Sequence, residues 1–404
     1  MRNVLSLSLF ATLFACLKVH GAKAFAITPK TFDFRNHPIA YEEVTRVQST
    51  SSANLTDTST NSVTVNESPI LVLNGFGVGS FHQHRLFPNL LPIEEKDGIE
   101  ICRKVYGIDY LGQGNSWPSD CDDGNSENEK GLIYSIDTWA DQIISFIEEV
   151  IVPNHPNEKV HLIGNSVGGH LSVVLAAKRP DLIDSIVLLN ATPVWGLNLK
   201  GWSGHLPPPF IPRKLGRVLF DWIRDLDTIE KYLEAAYSNR AAFDDDLMKK
   251  IRACTEGQGG HAAFASILFS PPASFPGDSN GFYENLGRLD CDVLLLFGRD
   301  DPWCTPSFAK RMLQSLSSSH RNGKNTVHRY IEIENVGHCP NHEAPSAVGD
   351  IAKKWITTRK RSRDSLQLLD KDYFEEAWGK IKANEIDEEN AKLSIMERII
   401  TTFV

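Results

Sequence analysis

The chain has 404 residues, of which 41% are hydrophobic and 23% are charged, and this composition is typical of a globular protein with a large apolar core. Its formal net charge of −9 argues against nucleic acid as a partner, because phosphate binding needs concentrated positive charge. The one basic cluster, at residues 359–363, is short and is typical of a solvated linker. The seven cysteines form no Cys-x-x-Cys pair, so we expect no metal, no other cofactor and no disulfide framework.

The first 24 residues have the features of a secretory signal peptide. Arg2 precedes an apolar run over residues 4–17, and Ala22-Lys23-Ala24 forms an A-x-A cleavage site. Phe25 directly after that site resembles the presequences that direct proteins into complex algal plastids. Residues 25–45 are therefore predicted to be a plastid transit segment, and ordinary secretion is the alternative.

From residue 70 onward, short apolar runs alternate with helical patterns. This alternation predicts an α/β fold, with a mostly parallel central sheet flanked by helices, over residues 46–357. Residues 194–288 interrupt it with helical runs and no evident strand, which indicates an inserted helical cap. Residues 358–404 are predicted to form a charged helical extension. The runs predicted as strands are 70–73, 104–108, 160–163, 185–189, 293–297 and 328–333, with an amphipathic helix over 135–152.

A serine between glycines lies where a predicted strand meets a predicted helix, in the segment Gly164-Asn165-Ser166-Val167-Gly168-Gly169. This pattern is typical of a nucleophile elbow, in which a strained turn holds the hydroxyl above the sheet. A glycine-rich turn that merely contains a serine would look the same, so the residues further along the chain must decide.

A catalytic serine needs a base and an acid, in the chain order serine, acid, histidine for this architecture. Asp301 lies at the end of the predicted strand 293–297, and His338 follows the next strand. We predict Asp301 as the acid and His338 as the base, with Asp300 as the alternative acid. Cys304 and Cys339 adjoin these residues, and they could be a redox-sensitive pair or two inert thiols.

A glycine-containing loop, residues 74–80, follows the predicted strand 70–73. It lacks the G-x-G-x-x-G spacing of a dinucleotide loop, so we interpret it as an oxyanion loop. The backbone N–H groups of Phe76 and Val167 would then stabilise a developing negative oxygen. Asp109, in another glycine-rich turn, is interpreted as structural.

Together these motifs resemble those of the α/β-hydrolases, and within them the pheophytinase family, plastid esterases that remove phytol from magnesium-free chlorophyll. The resemblance covers about residues 69–355. It departs from the usual pattern at Asn74, Val167 and Cys304. The strings that carry it are 74–82, 108–114, 146–150, 164–169, 188–196, 298–303 and 337–340.

The resemblance implies that Ser166 attacks the ester carbonyl of a phytylated tetrapyrrole, with His338 as base and Asp301 orienting it. It also implies an apolar pocket for the alcohol, a plastid location and peripheral association with thylakoid membranes. Four residues are expected to contact the substrate: Trp195, Phe264, Ile267 and Phe269. Whether pheophytin or chlorophyll is preferred, and the oligomeric state, are left open.

Besides hydrolysis of another apolar ester, two other functions compete with this one. Hydrolases that cleave carbon–carbon bonds in ring-fission products share the elbow, and their caps carry a basic residue for the substrate carboxylate. Arg213, Lys214 and Arg217 could supply it here. The second competitor is a non-enzymatic pigment carrier or receptor that retains the hydrolase fold.

Overall fold

The computed structural model describes residues 25–46, 63–66, 68–91, 99–102, 104–117, 134–195, 210–256, 264, 267–277, 281–320, 326–358, 363 and 365–402. The predicted signal peptide, residues 1–24, lies outside them. The strands are β1 (Phe25–Phe34), β2 (His37–Arg46), β3 (Val63–Asn66), β4 (Ile70–Leu73), β5 (Ile99–Cys102), β6 (Val105–Ile108), β7 (Val160–Asn165), β8 (Ile183–Leu189), β9 (Asp292–Gly298), β10 (His328–Glu334), β11 (Tyr373–Glu376) and β12 (Gly379–Glu385). The helices are α1 (Phe87–Leu90), α2 (Ile136–Phe146), α3 (Val152–Asn154), α4 (Val167–Lys178), α5 (Phe210–Ile223), α6 (Leu226–Ala236), α7 (Asp245–Ala253), α8 (Phe282–Leu286), α9 (Pro306–His320), α10 (Pro340–Glu343), α11 (Pro345–Thr357) and α12 (Ile395–Thr402).

A 10-stranded sheet in the order β1-β2-β6-β4-β7-β8-β9-β10-β12-β11 forms the centre of the molecule. The six strands from β6 to β10 in that order are parallel, and antiparallel hairpins flank them at both edges. The predicted mostly parallel sheet is therefore confirmed. β3 and β5 form a separate 2-stranded sheet.

The central strands bury both of their faces, as parallel strands between two helix layers do. On β4, Leu71 and Leu73 belong to one apolar core, while Ile70 and Val72 belong to the other. Helices α2, α4 and α9 pack on the first face, and α11 packs on the second. The carboxyl ends of the parallel strands therefore meet at one edge, where a site can form.

The N-terminal boundary of the predicted domain is wrong. Residues 25–45, expected as a transit segment, lie in the hairpin of β1 and β2, and β2 pairs with β6 in the main sheet. Arg35 and Asn36 both have positive φ, which suits a tight hairpin turn. Ile39 and Tyr41, two residues apart in the sequence, are both buried, and this spacing of apolar residues was the available signal for a strand.

The prediction of a helical extension over residues 358–404 is also wrong in part. β12 pairs with β10, so this segment completes the sheet, and α12 follows. Arg363, from the cluster interpreted as a solvated linker, is buried and forms ion pairs with Asp292 at 2.8 Å and Asp184 at 3.0 Å. Phe374 and Ile381 of the terminal hairpin join the core.

Between β8 and β9 the described residues form helices and no strand, and we keep the name cap for residues 194–288, the insertion expected from the sequence. Helices α6 and α7 share a small apolar core of their own that includes Ile229, Leu233 and Leu247. Within the described part of the chain, no helix is long and apolar enough to span a membrane.

Candidate active site

Ser166 occupies the sharp turn between β7 and α4. Its backbone has φ 55° and ψ −118°, an uncommon conformation for a residue with a side chain. Its N–H donates to Leu189 O at 3.0 Å. A Cβ on Gly164 would lie 2.3 Å from Gly168 O, and one on Gly168 would lie 2.4 Å from Leu73 O. The glycines around Ser166 are therefore needed for the close approach of strand and helix, as the elbow pattern predicts.

Asp301 and His338 are joined by a hydrogen bond between Asp301 Oδ2 and His338 Nδ1 at 2.6 Å. The other carboxylate oxygen of Asp301 accepts from the Trp303 N–H at 2.8 Å. Asp300, the alternative acid, instead accepts from the Ser238 hydroxyl at 3.0 Å and is exposed. The geometry thus favours Asp301 over Asp300 as the partner of the histidine.

The histidine loop, residues 336–339, lies against both the elbow and the acid strand. Asn165, next to Ser166, donates from Nδ2 to His338 O at 2.8 Å. A Cβ on Gly298 would lie 2.2 Å from Gly337 O, so these backbones touch. Residues far apart in sequence are therefore brought together at the carboxyl edge of the sheet.

The predicted oxyanion loop lies beside the elbow. A Cβ on Gly75 would lie 3.5 Å from Ser166 Cβ. The Asn74 amide donates to the carbonyls of Gly75 and Val78, each at 2.9 Å, and this fixes the loop around Phe76. Val167 is buried and begins α4, where main-chain N–H groups have no partner within the helix.

Asp109 holds two loops together and does not face the reacting residues. Its carboxylate accepts from Ser80 N at 2.6 Å and from Asn115 N at 2.7 Å. Burial raises the pKa of this carboxyl. These contacts support the structural interpretation of Asp109, because its carboxylate binds the N–H of Ser80, the last residue of the oxyanion loop.

Asn190 is a site residue that the sequence reasoning missed. Its Nδ2 donates to Asp301 Oδ2 at 2.9 Å, and its Oδ1 accepts from Gly298 N at 2.7 Å. It therefore donates to the same carboxylate oxygen of Asp301 that His338 contacts, and this helps to hold the acid in place. A polar residue directly after a buried strand, β8, was the available signal.

Glu343 was missed as well. Its side chain has no solvent exposure, and its carboxylate accepts from the Gly337 N–H, next to His338, and from Asn239 N in the cap at 3.0 Å. Burial raises the pKa of Glu343 to about 7, against the opposing effect of the backbone hydrogen bonds. Glu343 thus links the cap to the histidine loop.

The neighbouring histidines are largely buried. Burial lowers the pKa of His82 to about 3 and that of His170 to about 4, so both are neutral at pH 7. His82 Nε2 contacts the Tyr237 hydroxyl at 2.9 Å, and His84 pairs with Glu42. These contacts give the histidines structural partners.

Asp301, Cys304 and His338 place one potential ligand atom each within 4.8 Å of one another. Both carboxylate oxygens of Asp301 already accept hydrogen bonds from this chain. Burial raises the thiol pKa of Cys304 and of Cys339, which keeps both protonated. The cluster is therefore a poor cation site, and the two cysteines have the character of inert thiols.

An apolar cleft that is open in part to solvent begins at the oxyanion loop. Phe76, Phe264 and Ile267 line it. Trp195 does not line the cleft itself but packs against the Phe76 ring, with the two ring centroids 4.8 Å apart. Phe269, the remaining predicted substrate contact, is half-buried and is not among the described lining residues. The others that line the cleft are Gly77, Leu111, Gly112, Gln113, Trp117, Tyr134, Trp139, Phe220, Ile223, Cys254 and Thr255.

Comparison with known proteins agrees with this architecture. The profile described as "Alpha/beta hydrolase family" matches residues 70–351, which is well over half of the chain. The chain belongs to the α/β-hydrolase family. This hydrolase carries the β1–β2 hairpin and the β11–β12 hairpin outside the matched residues.

Two curated relatives have different activities. This hydrolase is 30% identical to "Pheophytinase, chloroplastic" of Arabidopsis thaliana over 71% of its own chain and 60% of that protein. It is 25% identical to a 2-hydroxy-6-oxononadienedioate/2-hydroxy-6-oxononatrienedioate hydrolase of Paraburkholderia xenovorans over 62% of its chain and 76% of the relative. The chain thus spans less than two thirds of the length of the pheophytinase.

Among solved structures, 2-hydroxy-6-oxo-6-phenylhexa-2,4-dienoate hydrolase from Rhodococcus sp. strain RHA1 has a TM-score of 0.52 and 16% identity to this hydrolase. The match covers 81% of this chain and 98% of that one. At this identity the likeness shows the fold alone.

Proposed function

We propose that this hydrolase is a serine carboxylic-ester hydrolase that removes phytol from pheophytin-type pigments, or from chlorophyll, in a plastid. The observation that carries the catalytic part is the Asp301–His338 hydrogen bond beside the strained turn at Ser166. The apolar cleft that begins at Phe76 supports a lipophilic substrate. The relation to a chloroplastic pheophytinase supports the pigment and the location.

In the proposed reaction Ser166 Oγ attacks the ester carbonyl while His338 takes its proton. Asp301 orients the His338 ring through Nδ1 and stabilises the cation that forms. The N–H groups of Phe76 and Val167 bind the oxyanion, and each such donor contributes about 3 kcal/mol to transition-state stabilisation. His338 then protonates the leaving alcohol, and a water activated by His338 releases the acid from the acyl-enzyme.

The cleft favours a long apolar alcohol because each CH₂ that leaves water contributes about 0.8 kcal/mol. Its described lining residues include aromatic and aliphatic side chains and no lysine or arginine. Lys214, one of the basic cap residues expected for a carbon–carbon bond hydrolase, is exposed. This lining supports an uncharged ester over a dienoate that carries a carboxylate.

The test incubates the purified chain and its Ser166→Ala variant with pheophytin a, chlorophyll a and an aromatic ring-fission dienoate. We expect multiple turnovers with release of phytol by the wild type, and a loss of at least 10³-fold in the variant. Pigment binding by the variant should persist, because the cleft is unchanged.

Each alternative function predicts a different result in this test. Cleavage of the dienoate alone would assign the carbon–carbon activity. Pigment binding without turnover by the wild type would assign a carrier. Equal phytol release by wild type and Ser166→Ala would remove Ser166 as the nucleophile.

A further inference from the structure

Helix α5 in the cap has apolar side chains on two opposite faces. Phe220 and Ile223 face inward and line the cleft. Leu215, Val218 and Trp222 are 49%, 67% and 56% exposed, and their spacing places them along one side of the helix. An exposed apolar stripe of this kind marks a contact surface for another molecule.

The stripe continues to the candidate catalytic base through aromatic rings. The Trp222 and Tyr232 ring centroids are 6.3 Å apart, and those of Tyr232 and Trp303 are 6.4 Å apart. The Trp303 ring lies 5.0 Å from that of His338. Trp222, Tyr232 and Trp303 are all exposed, so the apolar surface runs from the outside of the cap to the edge of the site.

The charge of this part of the cap is balanced. Residues 210–236, which contain α5 and α6, carry equal numbers of basic and acidic side chains and hence no net charge. A segment without net charge is not drawn to an anionic lipid layer by its overall charge, which leaves apolar contact as the interaction with a lipid surface. The basic residues are Arg213, Lys214, Arg217, Arg224 and Lys231, and the acidic ones are Asp221, Asp225, Asp227, Glu230 and Glu234.

We infer that the outer face of α5 docks on an electrically neutral lipid surface, so that a lipophilic ester passes from the lipid to the cleft along apolar side chains. Tryptophan and tyrosine suit the boundary between lipid and water. We favour a lipid layer over a second copy of the chain as the occupant of this face. A second copy would cover the edge beside His338, whereas a lipid layer would supply the substrate at that edge. The inference rests on the proposed function for its substrate, although the docking itself requires no catalysis.

The experiment measures partitioning of the purified full chain onto vesicles of phosphatidylcholine, and onto vesicles with added phosphatidylglycerol. The stripe variant is Leu215→Ser/Val218→Ser/Trp222→Ser. The matched control is Ile395→Ser/Met396→Ser/Ile399→Ser, which removes an equally exposed apolar face from α12. All of these side chains are exposed, so folding should be kept, and circular dichroism checks it.

We expect the stripe variant to partition at least tenfold more weakly, the control to match the wild type, and phosphatidylglycerol or salt to change wild-type binding by less than twofold. Hydrolysis of water-soluble 4-nitrophenyl acetate should be the same within twofold in all three proteins. Absence of wild-type binding, loss in the control instead of the stripe variant, or strong dependence on anionic lipid would each overturn the inference. A dimer in sedimentation velocity that the stripe variant dissociates would assign the face to a second copy. If no phytol is released from pheophytin a or chlorophyll a but vesicle binding follows the expected pattern, the proposed function fails and the docking surface stands.

Discussion

The loops under the site and the cap above it are held by different interactions. At the site, backbone hydrogen bonds and glycines packed against carbonyls leave the elbow and the histidine loop little freedom. In the cap, α5 contacts the cleft through apolar side chains on one face and leaves the other face exposed. Directional contacts fix the position of reacting atoms, whereas apolar contacts adapt to the shape of a ligand. Substitutions in the two regions should therefore separate catalysis from substrate preference.

The largest effect is expected from Asp301→Asn. An amide in place of the carboxylate would place an N–H opposite His338 Nδ1 and stabilise the wrong tautomer, so kcat should fall by about 10⁴-fold. Initial rates with 4-nitrophenyl acetate provide the measurement. Asp300→Asn is the matched control, since it changes the neighbouring exposed carboxyl, and its activity should stay within twofold of the wild type. A larger loss in Asp300→Asn than in Asp301→Asn would exchange the two assignments.

A smaller effect is expected from Glu343→Gln, which alters the link between cap and histidine loop. The amide can accept from only one of the two N–H groups that Glu343 now binds, so His338 should be less well positioned and kcat should fall by about 10-fold to 100-fold. KM for a small ester should change by less than twofold, because Glu343 does not line the cleft.

The same variant should change the pH dependence of stability. Because burial raises the pKa of Glu343 to about 7, the folded state binds this proton more tightly than the unfolded state does. Its contribution to the free energy of unfolding is full below the unfolded pKa, about 4.3, and is lost as pH rises through about 7. Urea unfolding at several pH values should therefore show the wild type losing stability relative to Glu343→Gln from pH 5 to pH 8. A constant difference over that range would contradict the titration of Glu343.

The central part of the fold was predictable because its signals are local. Buried strands are apolar runs, and a serine between glycines at a strand end indicates a tight turn before any partner is known. Asn190 and Glu343 were not predicted as site residues, because their roles depend on contacts that only the fold reveals. Asn190 binds Asp301, which is far away in the sequence, and Glu343 binds the Gly337 N–H and the cap. The edge hairpins were not predicted for another reason. Only some of their side chains are buried, so charged residues interrupt their apolar pattern.

Arg363 illustrates the same limit. Within a run of basic residues it has no local feature that distinguishes it, yet its guanidinium pairs with Asp292 at the start of β9. Burial of a charge depends on a partner that folding supplies, and a sequence pattern alone does not reveal that partner.

The smallest effect is expected in the cap, from Phe264→Ala. The Phe264 ring lies 5.7 Å from that of Phe76 and 5.6 Å from that of Phe220, so its removal widens the cleft but leaves the Phe76 main chain and the Asp301–His338 pair in place. KM for a long-chain ester should rise about tenfold, since apolar contacts of this size discriminate by about that factor. Hydrolysis of 4-nitrophenyl acetate should change by less than twofold, because a short ester does not fill the cleft. Phe269→Ala is the matched control: Phe269 lies outside the described lining, so its loss should leave both substrates unaffected. Equal effects of Phe264→Ala on long and short esters would mean that the cap also positions the reacting groups, and the separation between the two regions would fail.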